Sequence, residues 1–241
     1  MASYFNNMRI LNGILLPLWG TILGAFFVFL IRTQKSSKLN ALILPFTAGI
    51  MLSSAIFSLL IPSLEQKSNI IFVITGFMVG IISLKLLTNK YPDTSVYQHK
   101  IMILSIILHN IPEGIAVGVA MSAVLNNQMP YHLAIILSIG IAIQNIPEGL
   151  IVSIPWYQET NNKISSFLLG CFSGIVEPIS ALLSFFIINK IIILLPFILA
   201  FASAAMIYVV VEQIIPSSPK NKISISFSIG FLLMIVLEYL I

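Results

Sequence analysis

Eight apolar runs, each close to the length of a bilayer crossing and divided by short polar breaks, fill this chain almost end to end. A helix rises 1.5 Å per residue and needs about 20 mostly apolar residues to span the hydrocarbon core. Lipid offers no water to backbone amides, so a run of that kind must satisfy its hydrogen bonds internally, as a helix. The runs fall at roughly 11–31, 41–62, 68–88, 101–125, 131–154, 163–188, 191–215 and 221–240. The breaks include RTQKSSKLN, NKYPDTSVYQHK, NNQMP, YQETNNK and PSSPKNK. The expected fold is all-α, a polytopic membrane protein with eight transmembrane helices forming a single domain over 1–241.

Composition excludes the soluble classes. Charged residues make up 8% of the chain and mean hydropathy is +1.04, against about 25% charged residues in soluble domains. No polar segment is long enough for a soluble domain. The net charge of +4 is scattered between apolar runs, a topology signal and not a nucleic-acid footprint. The single cysteine, Cys171, allows no intrachain disulfide. The opening MASYFNNMRI leads into a run too long for a signal-peptide core and without an obvious cleavage site. It is expected to be the first membrane helix.

With an even helix count both termini share one side. Arg9, Lys67 and Lys190 fall on that side. Arg32, Lys35, Lys38, Lys85, Lys90, Lys100, Lys163, Lys220 and Lys222 fall on the other. Basic residues collect on the cytoplasmic side, so both termini are expected to be non-cytoplasmic. The loops are too short to carry a catalytic or recognition domain, which puts function inside the membrane.

Of the acidic residues, Glu65, Asp93 and Glu159 fall in loops, but Glu113, Glu148, Glu177, Glu212 and Glu238 fall inside spans. A carboxylate at the centre of a membrane helix costs about 2.5–3.5 kcal/mol on insertion scales and marks a pathway, a pair or a site. Only Lys85 and Lys190 lie near a span, each at its end, where the ammonium can snorkel to water. Either the carboxylates are protonated or a cation visits them.

Two copies of one motif sharpen this choice. Residues 109–114 read HNIPEG and residues 144–149 read QNIPEG. His109, Asn110 and Glu113 lie at spacings of three and four, on one helix face, and Gln144, Asn145 and Glu148 repeat the arrangement. Pro112 frees the carbonyl of Leu108 and Pro147 that of Ile143, which membranes tolerate where the backbone is buried in protein or lines a wet cavity. At 1.5 Å per residue Glu113 lies ~18 Å from the cytoplasmic side, Glu148 about 10–15 Å and Glu177, beside Pro178, ~21 Å. Two antiparallel helices thus bring like motifs to a common depth, as inverted repeats around a midplane site do. Imidazole, carboxylates and amides suit zinc, iron(II) or manganese, and there is no thiolate cluster for copper(I). His99 and His132 read as solvated, and Glu238 lies near enough to a helix end to reach water. Glu212 reads equally as an exit-side ligand or an interfacial glutamate.

These residues resemble the Zrt/Irt-like (ZIP) metal transporters, in particular their small bacterial GufA-like branch. The likeness rests on HNIPEG, QNIPEGL, GIVEP, AMIYVVVEQIIP and AGIMLSSAIFSLLIP and covers nearly the whole chain. It implies the ZIP fold, an inverted 3+2+3 repeat with the fourth and fifth helices as central pair. It also implies a binuclear site. One metal would be held by His109, Glu113, Gln144 and Glu148, with Met51. The other would be held by Asn110, Glu113, Asn145, Glu148 and Glu177, the shared carboxylates bridging. Ser58 and Glu212 would line the entry and exit sides. Many relatives carry histidine where Gln144 stands, some carry aspartate where Asn145 stands, and the loop that is histidine-rich in many of them has only His99 here.

The expected function is divalent metal transport into the cytoplasm by alternating access, with zinc first and iron(II), manganese or cadmium as other cargoes. Helices 1, 4, 5 and 6 would move against 2, 3, 7 and 8, as the resemblance implies. No phosphate-binding loop occurs, so no ATP hydrolysis of that kind is expected. The expected partners are the metal ions, the lipid bilayer and a second copy in a homodimer, with no nucleic acid. The expected location is a bacterial inner membrane. Competing readings are a proton-coupled carrier of a small organic cation, an intramembrane metalloenzyme (although no H-E-x-x-H occurs) and a metal sensor without flux.

Overall fold

Helix is what the apolar runs form. The structure, a computed structural model, describes residues 2–31, 37–65, 70–90, 95–218 and 223–240. Helix α1 (Ala2–Phe26) ends in a 3-10 turn, Phe27–Leu30. Helix α2 (Ser37–Ser54) continues through a π-helical turn, Ala55–Leu60, into Ile61–Glu65. Then come α3 (Ile70–Lys90), α4 (Ser95–Leu125), α5 (Tyr131–Thr160), α6 (Lys163–Ser184), α7 (Leu194–Ile214) and α8 (Ile223–Leu240). Seven of the described helices are long and apolar enough to cross a membrane, and α8 contributes the shorter apolar stretch Ile225–Tyr239. Large apolar side chains such as Ile71, Ile74, Ile82 and Leu86 on α3 are exposed, as befits a surface whose solvent is lipid.

The break expected between 188 and 191 differs in kind. Helical backbone is recorded from Lys163 to Val209, since FFIINKIII at 185–193 holds no glycine or proline to interrupt the hydrogen bonding. The run is nonetheless two antiparallel arms. Lys163 Nζ donates to the carbonyls of Phe29 and Ile31 at the end of α1, and Ile214 borders one cavity with Ile154 and Gln158 near the end of α5. Both ends of the run therefore lie at one face, so α6 and α7 run antiparallel. The neighbouring turns use asparagine in the left-handed region, at Asn127 and Asn161, each with φ 55°, a conformation asparagine tolerates better than most residues.

Close backbone approaches reveal the internal symmetry. A Cβ on Gly24 of α1 would collide with the carbonyl of Ile146 on α5, and one on Gly118 of α4 with the carbonyl of Ala181 on α6. Likewise Gly49 of α2 abuts the Phe227 carbonyl on α8, and Gly76 of α3 abuts the Phe197 carbonyl on α7. Exchanging α1 with α6, α2 with α7, α3 with α8 and α4 with α5 maps these pairs onto each other. The same exchange maps the π-helical turn of α2 onto one at Val210–Ile214 of α7. This is the inverted 3+2+3 arrangement. Among the described residues, every such glycine contact stays within α1, α4, α5 and α6 or within α2, α3, α7 and α8. Small residues let membrane helices touch along their backbones, so two tightly stitched groups meet across a looser boundary.

Several topology residues, Arg32, Lys35, Lys67, Asp93, Lys220 and Lys222, lie outside the described residues, as do the side chains of Lys38, His99 and Lys190.

Candidate metal centre

The two motifs meet in the middle of the bundle. His109 and Glu113 project from α4 one turn apart, and His109 Nε2 stands 3.0 Å from Glu113 Oε1 and 3.5 Å from Glu148 Oε1 of α5. One nitrogen or oxygen from each of the three fits within 4.8 Å of the others. All three are buried, with 1–2% of their surface exposed. Gln144 bridges the helices by donating from Nε2 to Glu113 Oε1. Asn145 Nδ2 donates to Glu177 Oε2 of α6 (2.7 Å) and to the carbonyl of Pro17 on α1 (3.2 Å). Thr21 of α1 donates to the other oxygen of Glu177 at 3.4 Å. Asn110 Nδ2 donates to the carbonyl of Ser173 at 3.0 Å.

The bonds left unmade say more than those made. Both ring nitrogens of His109, Glu113 Oε2, Glu148 Oε2, Asn110 Oδ1 and Asn145 Oδ1 are buried without a hydrogen-bond partner among the described residues. Buried polar atoms are almost always partnered, and leaving one bare costs about 1–3 kcal/mol, more when it is charged. These atoms, on adjacent turns of two facing helices, form a cradle of lone pairs that a cation can satisfy. The donor set, one imidazole with carboxylate and amide oxygens, fits a borderline divalent ion such as zinc.

Two cavities flank the centre. One, of about 170 Å³, opens toward the face carrying the α4–α5 turn and reaches the centre itself, since Glu113 and Gln144 line it together with Ser58 and Glu238. The other, of about 150 Å³, opens toward the face carrying the α5–α6 turn and is lined by Met102, Ile151, Gln158, Gln213 and Ser217. It does not touch the acidic residues. An apolar cluster that includes Met51, Ile106, Ile151 and Met206 lies on that side of the centre.

The sequence-picked residues separate accordingly. His109, Glu113, Gln144 and Glu148 come together, Asn145 and Glu177 join through their hydrogen bond, and Asn110 sits beside His109 with its oxygen free. Met51 is buried in the apolar cluster. Ser58 donates to Glu238 Oε1 in the first cavity. Glu212 is exposed, whereas its neighbour Gln213 lines the second cavity. Ser54 and Thr21 are missed in the sequence, as is the pairing of Glu238 with Ser58. Ser54 stands 3.2 Å from Ser58 and donates to Gln144 Oε1 at 2.7 Å. A polar file therefore runs from Glu238 through Ser58, Ser54 and Gln144 to Glu113. The spacing Met51, Ser54, Ser58 is helical and could have revealed Ser54, but nothing in the sequence pairs Ser58 with Glu238.

A polar, anionic centre with bare donor atoms, held midway along membrane-spanning helices and open to one face, defines a membrane carrier for a metal cation. The family comparison makes this specific. Residues 93–238 match the family model described as ZIP zinc transporter, and the chain belongs to that family. It is similar to zinc transporter ZIPB of Bordetella bronchiseptica, 28% identical over 242 residues that cover 90% of this chain and 76% of that one. It is 32% identical to zinc transporter GufA of Myxococcus xanthus over 206 residues, covering 76% of this chain and 79% of the relative. It is 29% identical to zinc transporter ZupT of Chlorobaculum parvum over 255 residues, covering 92% of each. The chain is thus an integral, multi-pass divalent-metal transporter and not an enzyme, and the metalloenzyme reading falls away.

Proposed function

We propose that this chain carries zinc into the cytoplasm through a binuclear centre by alternating access. The observation that carries the reading is the set of buried, unpartnered donor atoms between α4 and α5. They divide into two neighbouring groups. His109 Nε2, which faces both carboxylates, supports one ion with Glu113 and Glu148, with Gln144 as further ligand and Met51 nearby on α2. Asn110 Oδ1 and Asn145 Oδ1, with Glu177 beside them, support a second, the two carboxylates of Glu113 and Glu148 serving both. Iron(II), manganese and cadmium fit the same donor types.

The stitching of the helices supports the motion. Every hydrogen-bonded member of the centre except Ser54 belongs to α1, α4, α5 or α6, the group bound together by its own glycine contacts. An ion held there would travel with that group as it shifts along α2, α3, α7 and α8. Direction follows from charge. Lys85, Lys90, Lys100 and Lys163 lie at the face carrying the α5–α6 turn, which the positive-inside bias makes cytoplasmic, in a bacterial inner membrane. The centre then communicates with the outside, the conformation that accepts cargo.

The test is flux of zinc, iron(II) and manganese into proteoliposomes, paired with elemental analysis of the purified chain. Zinc flux lost in Glu113→Ala and Glu148→Ala, with two zinc ions per wild-type chain, is the expected result. Folded protein that binds zinc without flux would overturn transport. One ion per chain would overturn the binuclear centre alone.

A further inference from the structure

A third cavity, of about 340 Å³, shares no residue with the metal centre and lies where the start of α1 meets the α4–α5 turn. The apolar spans of α1 and α5 begin at Met8 and Tyr131, and that of α4 ends at Leu125. Arg9, Leu125, Asn127 and Tyr131 all line the cavity, so it sits where hydrocarbon gives way to lipid headgroups. Tyr131 holds Arg9 at its edge. The ring centroid is 5.7 Å from the guanidinium carbon, and the hydroxyl donates to the Arg9 carbonyl at 3.5 Å. A ring face attracts a guanidinium without neutralising it, and the elements that build this rim supply no counterion. The lining contains no carboxylate, and residues 1–31 and 114–147 contain no aspartate or glutamate at all. Helix α5 also starts here, at Tyr131 behind Pro130, with no side chain capping it. The positive end of its dipole is therefore left open beside the same cavity.

We propose that this cavity binds the phosphate of an anionic phospholipid, with Arg9 as its counterion. A guanidinium presents its N–H donors in a fork that matches phosphate oxygens, and Asn127 adds a carboxamide donor. Basic pockets between membrane helices recognise anionic headgroups in this way. The depth of the cavity favours a lipid over a free phosphate ion. Leu125, part of the lining, is exposed to the surrounding lipid and gives the upper acyl chain an apolar surface. A zwitterionic lipid offers the same phosphate but adds an ammonium group, which Arg9 and the helix end repel. Because α1, α4 and α5 belong to the glycine-stitched group that holds the centre, the bound lipid fastens one end of that group without touching a metal ligand. Binding of this kind needs no transport, so it stands or falls separately from the proposed function.

The experiment equilibrates the full-length chain in detergent micelles holding equimolar phosphatidylglycerol and phosphatidylcholine. The lipid retained per chain is read by native mass spectrometry for the wild type, Arg9→Gln and Arg9→Lys. Monodisperse elution and cooperative melting establish that each variant is folded. The wild type is expected to prefer phosphatidylglycerol. Arg9→Gln is expected to lower its retention about fivefold, the effect of removing one basic residue beside an anionic headgroup, and Arg9→Lys to restore most of it. Lipid held by lysines at the opposite face is common to all three and cancels in the comparison. Equal retention of the two lipids by the wild type overturns the proposal, whether or not Arg9→Gln folds, and so does a folded Arg9→Gln with undiminished retention. Displacement of phosphatidylglycerol by millimolar inorganic phosphate would assign the cavity to the free ion and overturn the lipid.

Discussion

Replacing Glu148 by glutamine separates the energetic roles of the centre. The substitution keeps size and one carbonyl oxygen but removes the carboxylate of a side chain that is 1% exposed and lies 3.5 Å from the His109 imidazole. Removing one partner of a buried ion pair costs about 3–5 kcal/mol, and in the zinc-bound state the lost partner is the ion's. At the lower figure, and ~1.4 kcal/mol per tenfold, zinc affinity falls by roughly 10². At a free zinc concentration of ~100 times the wild-type Kd, binding stabilises the wild type by about 2.7 kcal/mol but the variant by only about 0.4 kcal/mol. Without zinc the sign reverses, because the variant no longer buries an uncompensated carboxylate. The assay is thermal melting of detergent-solubilised protein with and without zinc. The zinc-dependent rise should nearly vanish in Glu148→Gln, and its zinc-free midpoint should equal or exceed that of the wild type. A variant that keeps the full zinc-dependent rise would refute a metal role for Glu148. One that melts far lower without zinc would instead mark it as a structural pair with His109.

Glu238→Gln and Ser58→Ala should each raise the KM for zinc severalfold while leaving kcat near wild type, as flux at graded external zinc would show, because both line the cavity that leads to Glu113 and neither is in the centre. Gly118→Val should destabilise the chain by about 1–3 kcal/mol through overpacking, since its side chain would meet the Ala181 carbonyl and the Ser184 hydroxyl; a thermal midpoint equal to wild type would show that α4 and α6 can separate. Asn145→Ala removes the donor to Glu177 and a free oxygen, so zinc content should fall from two ions to one; an unchanged content would place the second ion elsewhere.

What could be read from the sequence was whatever repeats along one helix. The span count follows from runs of fixed length, and the spacing of three and four places His109, Asn110 and Glu113 on one face before any neighbour is known. The doubling of the motif supplies a partner helix as well, because two antiparallel spans of equal length put equal motifs at equal depth. Contacts between helices without such a rule stayed hidden. Thr21 and Glu238 are single polar residues near apolar partners, and only packing reveals that one steadies Glu177 and the other meets Ser58. Glu212 and Gln213 show the limit most sharply. They are adjacent polar residues, and the π-helical turn that directs Gln213 toward the cavity leaves no mark in composition or period.

The inverted repeat makes the two walls of the pathway alike in backbone, yet the side chains make them unlike. The cavity on the α4–α5 side presents Glu238 and Ser58 and the one on the α5–α6 side Gln213 and Gln158, although π-helical turns on α2 and α7 occupy equivalent places in the repeat. That asymmetry cannot drive net transport. A carrier without an energy source equilibrates its cargo whatever the affinities at its two mouths, so tight capture at one mouth must be balanced by an unfavourable step elsewhere in the cycle. What the asymmetry can set is rate. A carboxylate lining one cavity raises the local concentration of a scarce cation there, and an uncharged lining on the other side holds the ion less tightly. The direction of net flux is left to the gradient, while the sequence tunes how quickly the chain responds to it.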